Sequence, residues 1–364
     1  MPTRIFPVIL AGGASSRLWP ASDRSKPKWD LRLFGSQSML EGAWERARAV
    51  APPSDCYVVA GDAQAELIRR SLPELPHSNL LIEPEPRDTS GAVAYAAGAI
   101  LRLPGGAAGV MFVLPGDHVI SPVDRFAECA RTAAQAAVEN NALVTFGIVP
   151  RKPATGYGYV QRGEAVVLEE STENAADVFH VRNFKEKPDL ATAQQYVASG
   201  EYYWNGGIFL WQISSLMEEL ERQLPVHAAM ARALGEAHTF AEWSQVAGAQ
   251  FPGLKKISID FGIMEHARSV LTVVADFFWD DIGSWSAVAE HLDKSTSNAV
   301  GPQTEVISID SRSNVVLAPG KRVALVGVEN LAVIESNGQI LICRLDRDQD
   351  VKKVSEAVAK AKPQ

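Results

Sequence analysis

Short apolar runs alternate with helical spacings through the first half of this chain, and that alternation limits it to a layered α/β fold. Residues 7–10, 56–60, 80–83, 110–114 and 143–148 read as buried strands bounded by glycine, proline or polar residues. Residues 39–50, 64–71, 92–101 and 126–139 carry apolar side chains at helical spacing between them. The expected product is a Rossmann-like, mostly parallel sheet with helices on both faces. Ligands of such sheets gather at the carboxyl ends of the strands.

Further on, residues 157–184 form shorter alternating runs, as in an antiparallel excursion beside the sheet. A helix is expected over 190–197, a strand over 207–211, helices from 214 to about 246, a strand over 270–278 and a short helix over 284–291. The polar stretch 293–302 reads as a linker. Short strands at 304–309, 314–317, 323–328, 331–335 and 340–345 then predict a small all-β segment, closed by a terminal helix over 351–360. The expected organisation is a catalytic domain of residues 1–293 and a C-terminal β segment with its helix, 294–364.

The first strand runs into Leu10-Ala11-Gly12-Gly13-Ala14-Ser15-Ser16-Arg17-Leu18-Trp19-Pro20, followed by Lys26-Pro27-Lys28. Gly12 and Gly13 let backbone N–H groups approach a ligand, Ser15 and Ser16 add hydroxyls, and Arg17, Lys26 and Lys28 add charge. A strand ending in such a turn suits phosphate oxygens. No Gly-Lys-Ser/Thr follows, and the next glycine after Gly13 is Gly35, so both the Walker loop and the dinucleotide fingerprint are missing. That disfavours a dehydrogenase. The net charge of -8 gives no electrostatic reason to expect nucleic acid or an anionic membrane as partner. The positive charge of the loop is therefore local and suits a small anion.

Cys56, Cys129 and Cys343 are widely spaced, without Cys-x-x-Cys, and read as small apolar residues in a reducing compartment. The apolar start runs straight into the glycine turn rather than a cleavage site, and no run of about 18 apolar residues occurs. A cytoplasmic location is expected.

Three further stretches fall at strand ends: Leu114-Pro115-Gly116-Asp117-His118, Asn183-Phe184-Lys185-Glu186-Lys187-Pro188, and Phe278-Trp279-Asp280-Asp281-Ile282-Gly283-Ser284-Trp285. Singly, an Asp after a strand is usually a turn former and a Lys beside Glu a solvated pair. Together they offer carboxylates for a hard cation and cations for phosphates, the inventory of metal-assisted phosphoryl chemistry. His118 has no second histidine at ligand spacing and reads as a packing residue. Trp279 and Trp285 read as core or site walls, and alternation turns Asp280 away from Asp281.

The first loop resembles the Gly-Gly-x-Gly-x-Arg-Leu…Pro-Lys signature of sugar-1-phosphate nucleotidyltransferases, and its Arg17-Leu18-Trp19-Pro20 form is similar to the mannose-1-phosphate guanylyltransferase branch. The same branch is resembled by Glu83-Pro84-Glu85-Pro86-Arg87-Asp88-Thr89, the Asp117 stretch and Gly156-Tyr157-Gly158-Tyr159. Glu186-Lys187-Pro188, Trp204-Asn205-Gly206-Gly207-Ile208-Phe209 and the Asp281 stretch complete the series, in the family's order. The resemblance implies a GT-A-like nucleotidyltransferase fold with a β-helix-like C-terminal segment.

It also implies transfer of GMP from GTP to mannose 1-phosphate with Mg²⁺, giving GDP-mannose and pyrophosphate. Leu10, Gly12, Gly13, Arg17, Lys28, Arg87, Asp88 and Thr89 would bind nucleotide, with Arg17 and Lys28 on its phosphates. Asp117 and Asp281 would hold the metal. Lys187 would bind the sugar phosphate, while Gly158, Glu186 and Asn205 face sugar hydroxyls. Arg17, Lys28 and Lys187 would carry the catalytic charge. Departures are Ser15-Ser16 for glycine and threonine, Asp88 for asparagine, Ser90-Gly91 for Ala-Pro, and Gly116 and Gly206 for Ala and Ser. Asp88 near the base would favour guanine by accepting from its N1 and N2 groups.

The resemblance leaves two other readings: the same chemistry on another sugar phosphate or base, such as GDP-glucose synthesis, or a silent paralogue that binds GDP-sugars and regulates a partner. Retained Arg17, Lys28, Asp117, Lys187 and Asp281 argue against the latter. The extra isomerase domain of longer, bifunctional relatives is missing, so one activity is expected. The exposed edges of the C-terminal strands suit capping of the site or a homodimer.

Overall fold

A computed structural model describes residues 3–13, 16–23, 26–169, 175–293 and 297–361. Its regular elements begin with β1 (Ile5–Leu10), α1 (Met39–Arg48), β2 (Tyr57–Gly61), α2 (Ala65–Ser71), β3 (Leu80–Glu83), α3 (Asp88–Leu101), β4 (Val110–Pro115), β5 (Val119–Ser121) and α4 (Val123–Glu139). They continue with β6 (Leu143–Ile148), β7 (Tyr159–Ala165), β8 (Val178–Lys185), α5 (Leu190–Ser199), β9 (Tyr202–Gln212), α6 (Ile213–Gln223), α7 (Pro225–Glu236), α8 (Phe240–Gln250) and α9 (Ile259–Gly262). Last come β10 (Val270–Ala275), β11 (Phe278–Asp280), α10 (Trp285–His291), β12 (Ala299–Val300), β13 (Glu305–Ile309), β14 (Val315–Leu317), β15 (Arg322–Val326), β16 (Leu331–Ser336), β17 (Gln339–Arg344) and α11 (Val351–Ala361).

The chain packs as two compact units. The first comprises Met1–Gly12, Ala43–Pro115 and Ile120–Trp279; the second comprises Gly13–Gly42, Gly116–Val119 and Asp280–Gln364. This grouping does not follow the linear boundary at 293/294.

A nine-stranded sheet of order β3-β2-β1-β4-β9-β6-β10-β8-β7 forms the first unit. From β3 to β4 every neighbour is parallel, with Val8 opposite both Tyr57 and Val113. Beyond β4 the sheet is mixed: β9 lies antiparallel between β4 and β6, β10 is parallel to β6, and β8 and β7 are antiparallel to their neighbours. The strand expected over 270–278 divides into β10 and β11. Between them Asp276 accepts a hydrogen bond from Arg125 Nε at 2.7 Å, so the polar residue serves a helix rather than the sheet.

Helix α3 is rich in Gly and Ala, which suits it to close packing. A Cβ on Gly98 would lie 2.7 Å from Leu234 Cβ and 3.1 Å from the Ala231 carbonyl oxygen, so α7 approaches α3 only because that position is glycine. Pro225 opens α7, and a reciprocal Thr239–Glu242 capping box opens α8, which divides the helical stretch after 213 into three. Below the sheet Phe126 packs on Phe112, Phe146 and Phe277 with ring centroids 5.3 to 6.0 Å apart.

In the second unit β12, β14 and β16 are parallel in sequence order and β17 pairs antiparallel to β16. A second pair, β13 and β15, is also parallel, which gives the successive coils of a β-helix. Strand β12 lies inside the stretch expected to be linker. Asn314 is fully buried and spans the coils: its amide donates to Asn298 Oδ1 at 2.8 Å and the Val328 carbonyl at 3.0 Å, while its Oδ1 accepts from Leu331 N at 3.0 Å. The core of this unit joins Leu18, Leu31 and Leu33 to Trp285, Val315, Leu317, Ile334 and Val351. The turn after the first strand and the C-terminal coils thus bury one another's apolar side chains. No helix among the described residues is long and apolar enough to cross a membrane.

Candidate active site

Strand β1 delivers Leu10, and Ala11 N donates to the Val59 carbonyl at 2.9 Å, so the chain leaves the sheet at a fixed point. Gly12 and Gly13 are exposed, and a Cβ on either would meet no atom within 4 Å. Gly13 has φ of 87°, a conformation that favours glycine. Ser15 lies outside the described residues. Ser16–Leu18 form one helical turn that buries Leu18 and leaves Arg17 exposed.

Within the second unit, Arg17 Nη1 donates to Gln349 Oε1 at 3.3 Å. A Cβ on Gly283 would lie 3.3 Å from Asp281 Oδ1 and 3.7 Å from Arg17 Nη1. The guanidinium and the carboxylate therefore flank a position kept bare of side chain. Lys28 is 6% exposed, and its ammonium donates to Asp117 Oδ2 at 2.7 Å and to the backbone carbonyl of Asp281. Burial would raise the Asp117 carboxyl, but Lys28 and His118 outweigh it and hold Asp117 below the usual range. His118 Nε2 lies 3.9 Å from Asp117 Oδ1.

Ile282, next to Asp281, is fully buried with φ of 46°, an outlier for a β-branched residue. Its N–H donates at 2.8 Å to Asp280 Oδ1, and Asp280 Oδ2 sits 3.0 Å from His291 Nε2. Asp280 thus fixes the turn while Asp281 is left to the Lys28 cluster.

Asp117 and Asp281 suit a hard divalent ion in donor chemistry, and Lys28 already places a cation against both residues. Among the described residues no group of three His, Cys, Asp or Glu could hold a metal, so two carboxylates would need substrate oxygens to complete a shell.

At the start of α3, Arg87 donates to the Glu85 carboxylate and to the Pro252 carbonyl. Asp88 is exposed with φ of 63°, and its Oδ1 accepts from Thr89 N at 2.8 Å. Thr89 Oγ1 accepts from Ile259 N at 2.8 Å. Ser90 Oγ donates to the Ile257 carbonyl at 2.6 Å, and a Cβ on Gly91 would come within 2.7 Å of Arg87 Cβ. Thr89 and Ser90 therefore tie the segment to residues 257–259, while Gly91 leaves room for Arg87. Nearby Glu83 has a buried Oε1 without a hydrogen-bond partner, and burial together with the Asp88 charge pushes its carboxyl up to about 7.

The other half of the first unit brings Gly158, Glu186, Lys187 and Asn205 together. Asn205 N donates to the Gly158 carbonyl at 2.8 Å, and a Cβ on Gly158 would fall 2.4 Å from Glu186 Oε2. Lys187, with φ of 48°, directs its ammonium to Glu186 Oε1 at 2.6 Å. Tyr157 packs edge-on against Trp204 and Trp279, with centroids 5.0 and 5.3 Å away, so Trp279 is a wall here. Asp260 joins the cluster through Asn205 Nδ2 at 2.7 Å. Asp260 lies outside the stretches quoted from the sequence, and Glu83 opens one of them without a role of its own.

The nucleotidyl transferase family matches over residues 6–298, and the MannoseP isomerase/GMP-like beta-helix domain over residues 304–357. The chain is accordingly a nucleotidyl transferase carrying a β-helix domain. The chain is 38% identical over 98% of its length to xanthan biosynthesis protein XanB of Xanthomonas campestris pv. campestris (strain ATCC 33913), spanning 74% of that protein. It is 36% identical to the mannose-1-phosphate guanylyltransferase of Escherichia coli (strain K12), with 98% and 74% covered. The crystal structure of mannose-1-phosphate geranyltransferase from Thermus thermophilus superposes with a TM-score of 0.86 at 31% identity, covering 98% of this chain and 99% of that one. The chain belongs to the mannose-1-phosphate guanylyltransferase family.

Proposed function

We infer that the chain transfers GMP from GTP to mannose 1-phosphate, releasing pyrophosphate and forming GDP-mannose. The observation that carries this reading is the identity of 36% to a mannose-1-phosphate guanylyltransferase across 98% of the chain, with both its domains represented. A phosphate oxygen of the sugar phosphate attacks the α-phosphorus of GTP in line with the departing pyrophosphate. The attacking group is already an anion, so no Ser, Cys or His nucleophile is needed. Catalysis reduces to holding two polyanions together and stabilising charge on the transferring group.

Leu10, Gly12 and Gly13 supply the open backbone for the nucleotide, and Arg17 neutralises the leaving pyrophosphate. Lys28 takes the phosphates near the bond that breaks. Asp117 and Asp281 would hold Mg²⁺, which when bound supplies Lewis-acid charge on phosphate oxygens. Lys187 binds the sugar phosphate, and Gly158, Glu186 and Asn205 form the sugar pocket. Arg87 shapes the base segment, and the exposed Asp88 carboxylate and Thr89 border the guanine.

A pyrophosphate-release assay crossing four nucleoside triphosphates with several sugar 1-phosphates tests the reading. GTP with mannose 1-phosphate should give the highest kcat/KM. A faster rate with ATP would remove the guanine preference, and a faster rate with glucose 1-phosphate would reassign the sugar. Arg17→Ala and Lys187→Ala should each lower kcat/KM by roughly 10² to 10³, the scale of one electrostatic stabiliser. Lys187→Ala should raise the KM for the sugar phosphate and leave that for GTP in place; the reverse pattern would exchange the two roles.

A further inference from the structure

Beside Glu186 and Asn205 stands an acid, Asp260, that lies outside the sequence stretches quoted above. Asn205 is held on three sides: its Oδ1 accepts from Thr145 Oγ1 at 2.7 Å and from Gly207 N at 3.3 Å, and its Nδ2 donates to Asp260 Oδ1 at 2.7 Å. The Gly207 N–H and the Asp260 carboxylate fix which end of the amide is oxygen. The carbonyl oxygen is thereby filled and only one N–H is left over. Asn205 is therefore poorly supplied to read a sugar by itself.

Two carboxylates beside it are in the opposite position. Glu186 is 8% exposed, its Oε1 takes the Lys187 ammonium at 2.6 Å, and its Oε2 is buried without a partner against the bare Cα of Gly158. Asp260, in the short α9, spends Oδ1 on Asn205. Burial first and then the charge of Glu186 push the Asp260 carboxyl up to about 6, opposed by the Asn205 hydrogen bond and by Lys187. The other acid at this place, Glu265, accepts from Glu186 N at 3.2 Å. Ionised carboxylates only accept, so two of them side by side call for a ligand that donates twice. A polyol does so; a phosphate does not.

Resting on the guanylyltransferase reading, we propose that Asp260 and Glu186 together accept hydrogen bonds from two hydroxyls of the sugar, with Asn205 as the positioning residue that aims Asp260. Asp260 then helps decide which sugar 1-phosphate is taken, because hydroxyl configuration determines whether both acceptors are met. Lys187 stays with the phosphate, at the rim of the same pocket.

The test measures binding as well as turnover, with mannose 1-phosphate and its monodeoxy analogues as probes, on wild type, Asp260→Asn and Asp260→Ala. Loss of a hydrogen bond to a charged acceptor should weaken mannose 1-phosphate roughly 10- to 100-fold in Asp260→Asn, in Kd by calorimetry and in KM. The KM for GTP should stay within about twofold, well under the tenfold that 1.4 kcal/mol represents. One monodeoxy analogue, lacking the hydroxyl that meets Asp260, should bind wild type and Asp260→Asn alike. Equal weakening of every analogue would reduce Asp260 to a structural support and overturn the proposal, as would unchanged affinity for mannose 1-phosphate. The isosteric Asp260→Asn decides the matter if Asp260→Ala does not fold. Wild type that binds no sugar 1-phosphate would instead sink the functional reading, and this proposal with it.

Discussion

Asp281→Ala should lower kcat by about 10³ or more, the largest loss expected of any substitution at the site, since a metal clamp on transferring phosphate outweighs a single donor. The geometry makes this variant unusually informative. Lys28 is held at Asp281 by the backbone carbonyl, and by Asp117 at 2.7 Å, so neither contact is lost with the carboxylate. Asp280 keeps the turn, through Ile282 N at 2.8 Å and His291 at 3.0 Å. What disappears is the Asp281 carboxylate beside Gly283. A divalent-ion titration of activity should shift to much higher concentration or fail to saturate, while GTP still binds. A titration curve superimposable on that of wild type would take Asp281 out of the metal site.

Trp285→Ala should destabilise the protein by about 3–5 kcal/mol, the usual cost of emptying a fully buried aromatic site. Trp285 has no exposed surface, and its indole N–H donates to the Trp19 carbonyl at 3.2 Å. It opens α10 behind a Ser284 cap and packs in one core with Leu18, Leu31 and Val315. Removing the ring leaves a cavity beneath the phosphate turn and an unmatched carbonyl. Urea denaturation should show the loss directly, and the KM for GTP should rise as Arg17 loses its footing. A midpoint unchanged from wild type would mean that the core closes around the gap.

Much of the fold was legible because each strand of the parallel half is an apolar run stopped by glycine, proline or an acid. The direction of β9 was not. Its burial alternates only weakly, with both faces covered along most of Tyr202–Gln212, so its residues read the same whichever way the strand runs. The motif residues were legible from charge at strand ends, and the structure brings Gly158, Glu186, Lys187 and Asn205 together. The burial of Lys28 between Asp117 and Asp281 was not legible, since a lysine in a loop is usually solvated. Asp260 stayed hidden because its partner, Asn205, lies 55 residues away and its own segment carries no signature. The kinship of the phosphate turn with the C-terminal coils was hidden too, since Leu18 or Leu33 shows that it seeks burial without showing what will cover it.

That kinship has a consequence for biosynthesis. Leu18, Leu31 and Leu33 emerge early from the ribosome, whereas Val315, Leu317, Ile334 and Val351, which help to bury them, are translated only after the whole sheet. β10 is the last strand of the nine-stranded sheet in sequence, so all its strands are made before the coils that cover the turn after β1. A nascent chain, or one clipped ahead of β14, would therefore lack part of the apolar cover over the turn after β1.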